Sequence, residues 1–201
     1  MIRNIIFDIG NVLAAFRWKE YFESFHYSPE VLERLIRATV MDPMWNEFDK
    51  GELEEEVVFQ KFYDNDPGVA GEIRETLTNI HDMLGHYDYA IPWLQDLKDK
   101  GYHVYYLSNF SRKAHLECPH VLDFMPLMEG GILSYQEKMT KPDPAIYQLL
   151  LKRYSLKAEE CVFLDDTPRN VEAAIKQGIA GIVFHDQAQA IEELRKLGVE
   201  A

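Results

Sequence analysis

The feature that most constrains this chain is a set of short apolar runs that stop at polar residues. Ile2 to Phe7 stops at Asp8, Tyr102 to Leu107 at Ser108, and Val162 to Leu164 at Asp165. A fourth run, Gly181 to Phe184, ends near His185, and a weaker one lies near Gly131 to Ser134. Runs of this length, rich in β-branched and aromatic residues, suit strands buried on both faces of a parallel sheet. Helical patterns fall between them: Ile91 to Lys100 before Gly101, Pro144 to Tyr154, Asn170 to Gln177 before Gly178, and Ala188 to Leu197 before Gly198. Proline opens one of these and glycine closes the other three, the usual punctuation of helix ends. Alternation of strand and helix predicts an α/β fold with a Rossmann-like, doubly wound parallel sheet. Ligands bind such a sheet beyond the carboxyl ends of its strands, which is where Asp8, Ser108 and Asp165 fall.

The stretch from Ala15 to His86 interrupts that alternation and carries no strand pattern. Ser28-Pro29 reads as an N-cap followed by proline in the first turn, and Val31, Leu32, Leu35 and Ile36 make one apolar face. Leu53, Val57 and Phe62 suggest a second face, and Ile73, Leu77, Ile80 and Leu84 follow a helical period. The chain therefore divides into a core of residues 1–14 and 87–201 and a helical insertion over 15–86.

A net charge of −13 argues against nucleic acid or an anionic membrane as a partner. An anionic substrate would need a local positive charge, from a metal or a placed lysine. The two cysteines, Cys118 and Cys161, have no C-x-x-C spacing, which suggests neither a zinc site nor a disulfide framework and points to a reducing compartment. The apolar run after Met1 is too short for a signal peptide, and no stretch approaches a membrane span, so the cytoplasm is expected. A monomer is the expected state.

Four short motifs could carry chemistry. In Phe7-Asp8-Ile9-Gly10-Asn11-Val12-Leu13 a carboxylate ends a buried strand and a glycine turn follows, whose N–H groups can cradle an anion. Leu107-Ser108-Asn109 offers a hydroxyl and an amide to a phosphate oxygen. Lys141-Pro142-Asp143-Pro144 holds a lysine just before a helix, where the helix dipole does not favour it. Phe163-Leu164-Asp165-Asp166 sets two carboxylates side by side, an arrangement that calls for a cation such as Mg²⁺. Singly, each has a structural reading: a loop cap, a turn, an exposed helix start, a solvated acidic turn.

Together, Asp, then Ser, then Lys, then Asp-Asp, each near a strand end, resembles the four motifs of the haloacid dehalogenase superfamily, with the insertion in the place of that family's helical cap. The segment from Lys141 to Asp186 is similar to the phosphatase domain of soluble epoxide hydrolase, and Asp-Ile-Gly-Asn-Val to bacterial glucose 1-phosphate phosphatases. The resemblance implies a phosphatase that acts on a small phosphorylated metabolite, with Asp8 as the nucleophile that forms an aspartyl-phosphate. It implies Ser108 and Asn109 as binders of the phosphoryl group and Lys141 as the residue that neutralises it. Mg²⁺ would be held by Asp8, the carbonyl of Gly10, and the Asp165-Asp166 pair, with Asp166 the direct ligand. Most phosphatases of the superfamily carry a second aspartate, the general acid and base, where this chain has Gly10. A substrate with a good leaving group, such as an anomeric hexose phosphate, would need that acid least. The alternatives are a 2-haloacid dehalogenase, which works without metal and lacks the acidic pair, and a catalytically weak ligand-binding protein on this fold.

Overall fold

The computed structural model describes residues 1–200. Strands β1 (Asn4–Phe7), β4 (His103–Ser108), β5 (Gly130–Leu133), β6 (Cys161–Asp165) and β7 (Ala180–Val183) form one parallel sheet in the order β5-β4-β1-β6-β7. The expected doubly wound sheet is therefore present, with β1 at its centre. Side chains alternate across it. Ile5, Phe7, Val104, Val162 and Leu164 face one way, against Leu94, Leu97 and Leu194. Ile6, Tyr105, Leu107 and Phe163 face the other, against Ile146, Tyr147, Leu150 and Ala174. Both faces are covered, which is why the strands read as continuous apolar runs instead of alternating ones.

Helices α6 (Ala90–Asp99), α7 (Arg112–Glu117), α8 (Ser134–Glu137), α9 (Pro144–Arg153), α10 (Pro168–Lys176) and α11 (Gln187–Lys196) belong to this part of the chain. Helices α1 (Trp18–Glu23), α2 (Pro29–Ala38), α3 (Met44–Lys50), α4 (Glu55–Asn65) and α5 (Ala70–Thr78) lie between the first and second core strands. Ser28 caps α2 by accepting from the Val31 N–H at 3.3 Å, as its sequence suggests. Among the described residues no helix is long and apolar enough to cross a membrane.

Three expectations for the stretch 15–86 are corrected. It does contain strand: β2 (Ala14–Phe16) and β3 (Leu84–His86) pair antiparallel as a ribbon at its two ends. Three residues each are too few to display a period of two. Leu84 is thus a strand residue, because α5 already ends at Thr78. Leu53 and Val57 are exposed, and the buried face of α4 is instead Val58 and Phe62. Phe62 is fully buried, with the rings of Trp45 and Phe59 at 6.0 and 6.2 Å. Phe62→Ala should therefore cost about 3–5 kcal/mol through lost burial and a cavity. Urea unfolding should show a lower midpoint with an unchanged m-value.

Candidate active site

The site lies where four loops meet at the carboxyl edge of the sheet. Asp8 leaves β1 with its N–H donating to the Leu164 carbonyl at 2.8 Å, so β6 fixes its direction. The chain then turns tightly. The N–H groups of Val12, Leu13 and Ala14 all donate to the Ile9 carbonyl, and Asn11 sits at φ +58°, a left-handed conformation asparagine accepts more readily than most residues. Lys141 comes from the loop before α9. Its main chain is clamped by Asn109: the Lys141 N–H donates to Asn109 Oδ1 at 2.7 Å, and Asn109 Nδ2 donates to the Lys141 carbonyl at 3.0 Å. The Asn109 side chain is therefore already engaged, and one amide hydrogen is left for a ligand.

The Lys141 ammonium bridges two carboxylates, Asp8 Oδ1 at 2.8 Å and Asp165 Oδ2 at 2.6 Å. Lys141 is 1% exposed and Asp165 0%, so this is a desolvated triad and not a surface ion pair. Burial works against the Lys141 charge, but Asp8 and Asp165 outweigh it and raise its pKa above the ordinary lysine value. Asp165 is saturated. Besides Lys141, it accepts from the Thr167 N–H at 2.8 Å and from Asn170 Nδ2 at 3.1 Å. Asp166 is half-buried and is turned by Asn11, whose Nδ2 donates to its Oδ2 at 2.9 Å. Ser108 is buried beside Asp8 and helps hold the Asp8 charge.

All the side chains expected at the site from the sequence are brought together: Asp8, Ser108, Asn109, Lys141, Asp165 and Asp166. Asp8, Asp165 and Asp166 each offer an oxygen within 4.8 Å of the others. Burial pushes the Asp8 carboxyl up to about 7, a shift that Lys141 opposes and Asp165 reinforces. One ammonium does not neutralise three carboxylates. An all-oxygen donor set with a negative excess fits a hard divalent cation, so these residues could hold Mg²⁺. Asn11 and Asn170, which orient the acidic pair, were not singled out in the sequence because asparagine near a turn is ordinary.

Asp49, at the end of α3, was also missed. Two cavities flank it. One, of about 80 Å³, is bordered by Gly10, Asn109 and Asp49 and walled mainly by Phe16, Trp45, Ile80, Met83, Leu84 and Phe110. The other is a polar cleft of about 660 Å³ that reaches Lys141, Arg169, Thr140 and Asn46. Asp49, Trp45 and Asn109 border both. Of Arg17, Trp18, Trp45 and Phe48, Trp45 borders these cavities. Phe48 is core, Trp18 packs on Phe22, and Arg17 packs over Gly85.

The model of the haloacid dehalogenase-like hydrolases matches residues 2–178. The chain belongs to that family. Among its relatives, the sesquiterpene phosphatase astK of Aspergillus oryzae is 27% identical over 96% of this chain and 94% of its own length. The bifunctional epoxide hydrolase 2 of Mus musculus is 42% identical over 66 residues, a third of this chain and 12% of that protein. Among solved folds, a haloacid dehalogenase family enzyme of Bacteroides thetaiotaomicron, in complex with magnesium and inorganic phosphate, superposes with a TM-score of 0.69. It is 22% identical and covers 94% of this chain and 99% of its own. This hydrolase thus has the family fold with its central carboxylate cluster.

That cluster makes a stability prediction. The Asp8 pKa rises from 3.8 to about 7, so between these values the folded protein holds a proton the unfolded chain has lost. Its contribution is full below about pH 4 and is lost as the pH climbs through about 7. Without divalent cations, the melting temperature of Asp8→Asn should therefore gain on that of wild type as the pH is raised from 4 to 8. For a chain of this size each kcal/mol is worth about 2–4 °C. Thermal melts across that pH range in chelator would check it, and added Mg²⁺ should narrow the gap at pH 8.

Proposed function

We propose that this hydrolase is a Mg²⁺-dependent phosphatase of small phosphomonoesters that works through an aspartyl-phosphate on Asp8. The observation that carries the reading is the convergence of Asp8, Asp165 and Asp166 around a buried lysine. A dehalogenase, which needs no metal, would leave Asp166 turned toward a charge cluster for no purpose. The phosphatase relative and the magnesium and phosphate held by the Bacteroides enzyme support the same reading. In this reading the helical segment 15–86 is a cap over a core made of residues 1–14 and the chain from 87 onward. The enzyme acts as a monomer in the cytoplasm, which its two unpaired cysteines support.

Asp8 attacks phosphorus with the oxygen not bonded to Lys141. Ser108 and the free amide hydrogen of Asn109 hold the equatorial oxygens. Lys141 favours the ionised form of Asp8 against its burial and draws charge from the transferring group. Asp8, Asp165, Asp166 and the Gly10 carbonyl would hold Mg²⁺, which would supply positive charge for phosphoryl oxygens in a chain of net charge −13. Water then hydrolyses the aspartyl-phosphate.

Two substrate classes have support. The polar cleft suits a sugar phosphate, including the anomeric hexose phosphates that Gly10 favours. The apolar cavity suits the phosphate of an apolar alcohol, and the likeness to a sesquiterpene phosphatase agrees with it. Sugar hydroxyls in the apolar cavity would go unpaired, at about 1–3 kcal/mol each. kcat/KM across a panel of hexose and prenyl monophosphates would rank the two.

The reaction itself is tested on 4-nitrophenyl phosphate. Wild-type turnover should need Mg²⁺ and vanish in excess chelator, and Asp8→Asn should reduce it to background. After acid quench with labelled substrate, phosphate should stay on wild-type protein and not on Asp8→Asn. Full activity in chelator would return the dehalogenase reading.

A further inference from the structure

With glycine at position 10, the loop carrying the nucleophile has no side chain to protonate a departing alkoxide. We propose that Asp49, delivered from α3 of the helical insertion, is the general acid of this site. The inference rests on the phosphatase reading above.

Place is the first argument. Asp49 is the only acidic side chain on the cavity that Gly10 borders, among the described residues, and it also borders the polar cleft that reaches Lys141. Whichever space takes the leaving group, Asp49 is beside it. The second argument is that its carboxyl is unengaged. Among the described residues no hydrogen bond or ion pair is made by the Asp49 side chain, and only its main-chain carbonyl is bonded. A carboxyl set back in a cavity without a partner is costly unless it keeps its proton or meets a ligand. In agreement, desolvation first, and then the nearby Asp8 charge, push Asp49 up to about 7 against the pull of Lys141.

The third argument is rigidity. The Ser134 hydroxyl donates to the Asp49 carbonyl at 2.5 Å and accepts the Phe110 N–H at 2.8 Å. The end of α3 is thus tied to the loop that follows β4. Gly51 then turns at φ +64° against Tyr135, where a Cβ would lie 2.9 Å from the Tyr135 Cβ, and Lys138 donates to the Gly51 carbonyl. An acid on a mobile cap segment would need no such fastening, whereas one that must meet an ester oxygen does.

The chemistry balances with the groups in place. As Asp8 bonds to phosphorus the ester P–O bond breaks, and the electron pair left on the ester oxygen takes the Asp49 proton. The resulting carboxylate accepts a proton from the water that attacks the aspartyl-phosphate. The bond from phosphorus to Asp8 breaks, inorganic phosphate leaves, and Asp49 is protonated again.

The test is kcat/KM, which reports steps through the first phosphoryl transfer, for 4-nitrophenyl phosphate and a series of primary alkyl phosphates with Mg²⁺. Asp49→Asn should lower the alkyl values by about 10²–10⁴-fold, the usual worth of acid–base help, and the nitrophenyl value by less than about tenfold. Asp49→Glu should regain part of the alkyl loss. The steep leaving-group dependence expected from Gly10 alone would then belong to Asp49→Asn and not to wild type. Equal losses on both classes in Asp49→Asn, or none on either, would overturn the role. So would a wild-type enzyme that cleaves the nitrophenyl ester but no alkyl phosphate. If wild type cleaves no phosphate ester at all, the phosphatase reading falls first, and the role of Asp49 with it.

Discussion

Everything at the site hangs on one ammonium between two carboxylates. Lys141 reaches Asp8 and Asp165 from a loop that neither strand contains, and it joins the ends of β1 and β6 to the start of α9. Hydrocarbon of the same volume would often be as stable there or more so, because desolvating such charges is expensive. The arrangement is therefore better understood as electrostatic preparation than as fold stabilisation. The surrounding bonds agree. Asn109 spends its amide on the Lys141 main chain, and Asn170 and the Thr167 N–H spend theirs on Asp165. What stays open to a ligand is the Asp8 oxygen turned away from Lys141, beside an Asp166 that Asn11 and the Thr167 hydroxyl hold in place without neutralising it.

Much of this was legible from the chain alone, for an identifiable reason. A parallel sheet covered on both faces converts strands into unbroken apolar runs, so Asp8, Ser108 and Asp165 could be located at strand ends and grouped by topology. Lys141 could be placed because two prolines follow it just before a helix. Asn11 and Asn170 could not, since nothing in their local pattern separates an asparagine that aims a carboxylate from one that makes a turn. Leu53 and Val57 misled because the insertion is thin. The buried line of α4 runs through Val58 and Phe62, and Leu53 and Val57 lie off it in solvent. Asp49 was invisible for a different reason. Its neighbours in the chain describe only a short helix, and its nearness to Asp8 exists only once α3 docks on the loop after β4.

A chain with a net charge of −13 repels phosphate at a distance, so affinity for an anion must be made locally and at short range. The carboxylate cluster adds to that repulsion, yet it is what would gather a divalent cation, and Lys141 already lies between Asp8 and Asp165. The bulk charge then acts as a filter. It discourages polyanions, while a small dianion that fits between α3 and the strand ends would meet Lys141 and a cation held by the cluster at short range.

Placing a proton donor on the insertion instead of in the nucleophile loop changes what controls the reaction. A carboxylate two residues after Asp8 would stay at the phosphorus whether or not the insertion covered it. Asp49 stays there only while Ser134 holds the end of α3 against Phe110. Expulsion of a poor leaving group would thereby depend on the docking of α3 on the loop after β4, and on the fit of the substrate's organic part against Trp45 and the cavity walls. Selectivity for the alcohol and delivery of the proton would then be set by the same few contacts, and glycine at position 10 would be no obstacle to turnover.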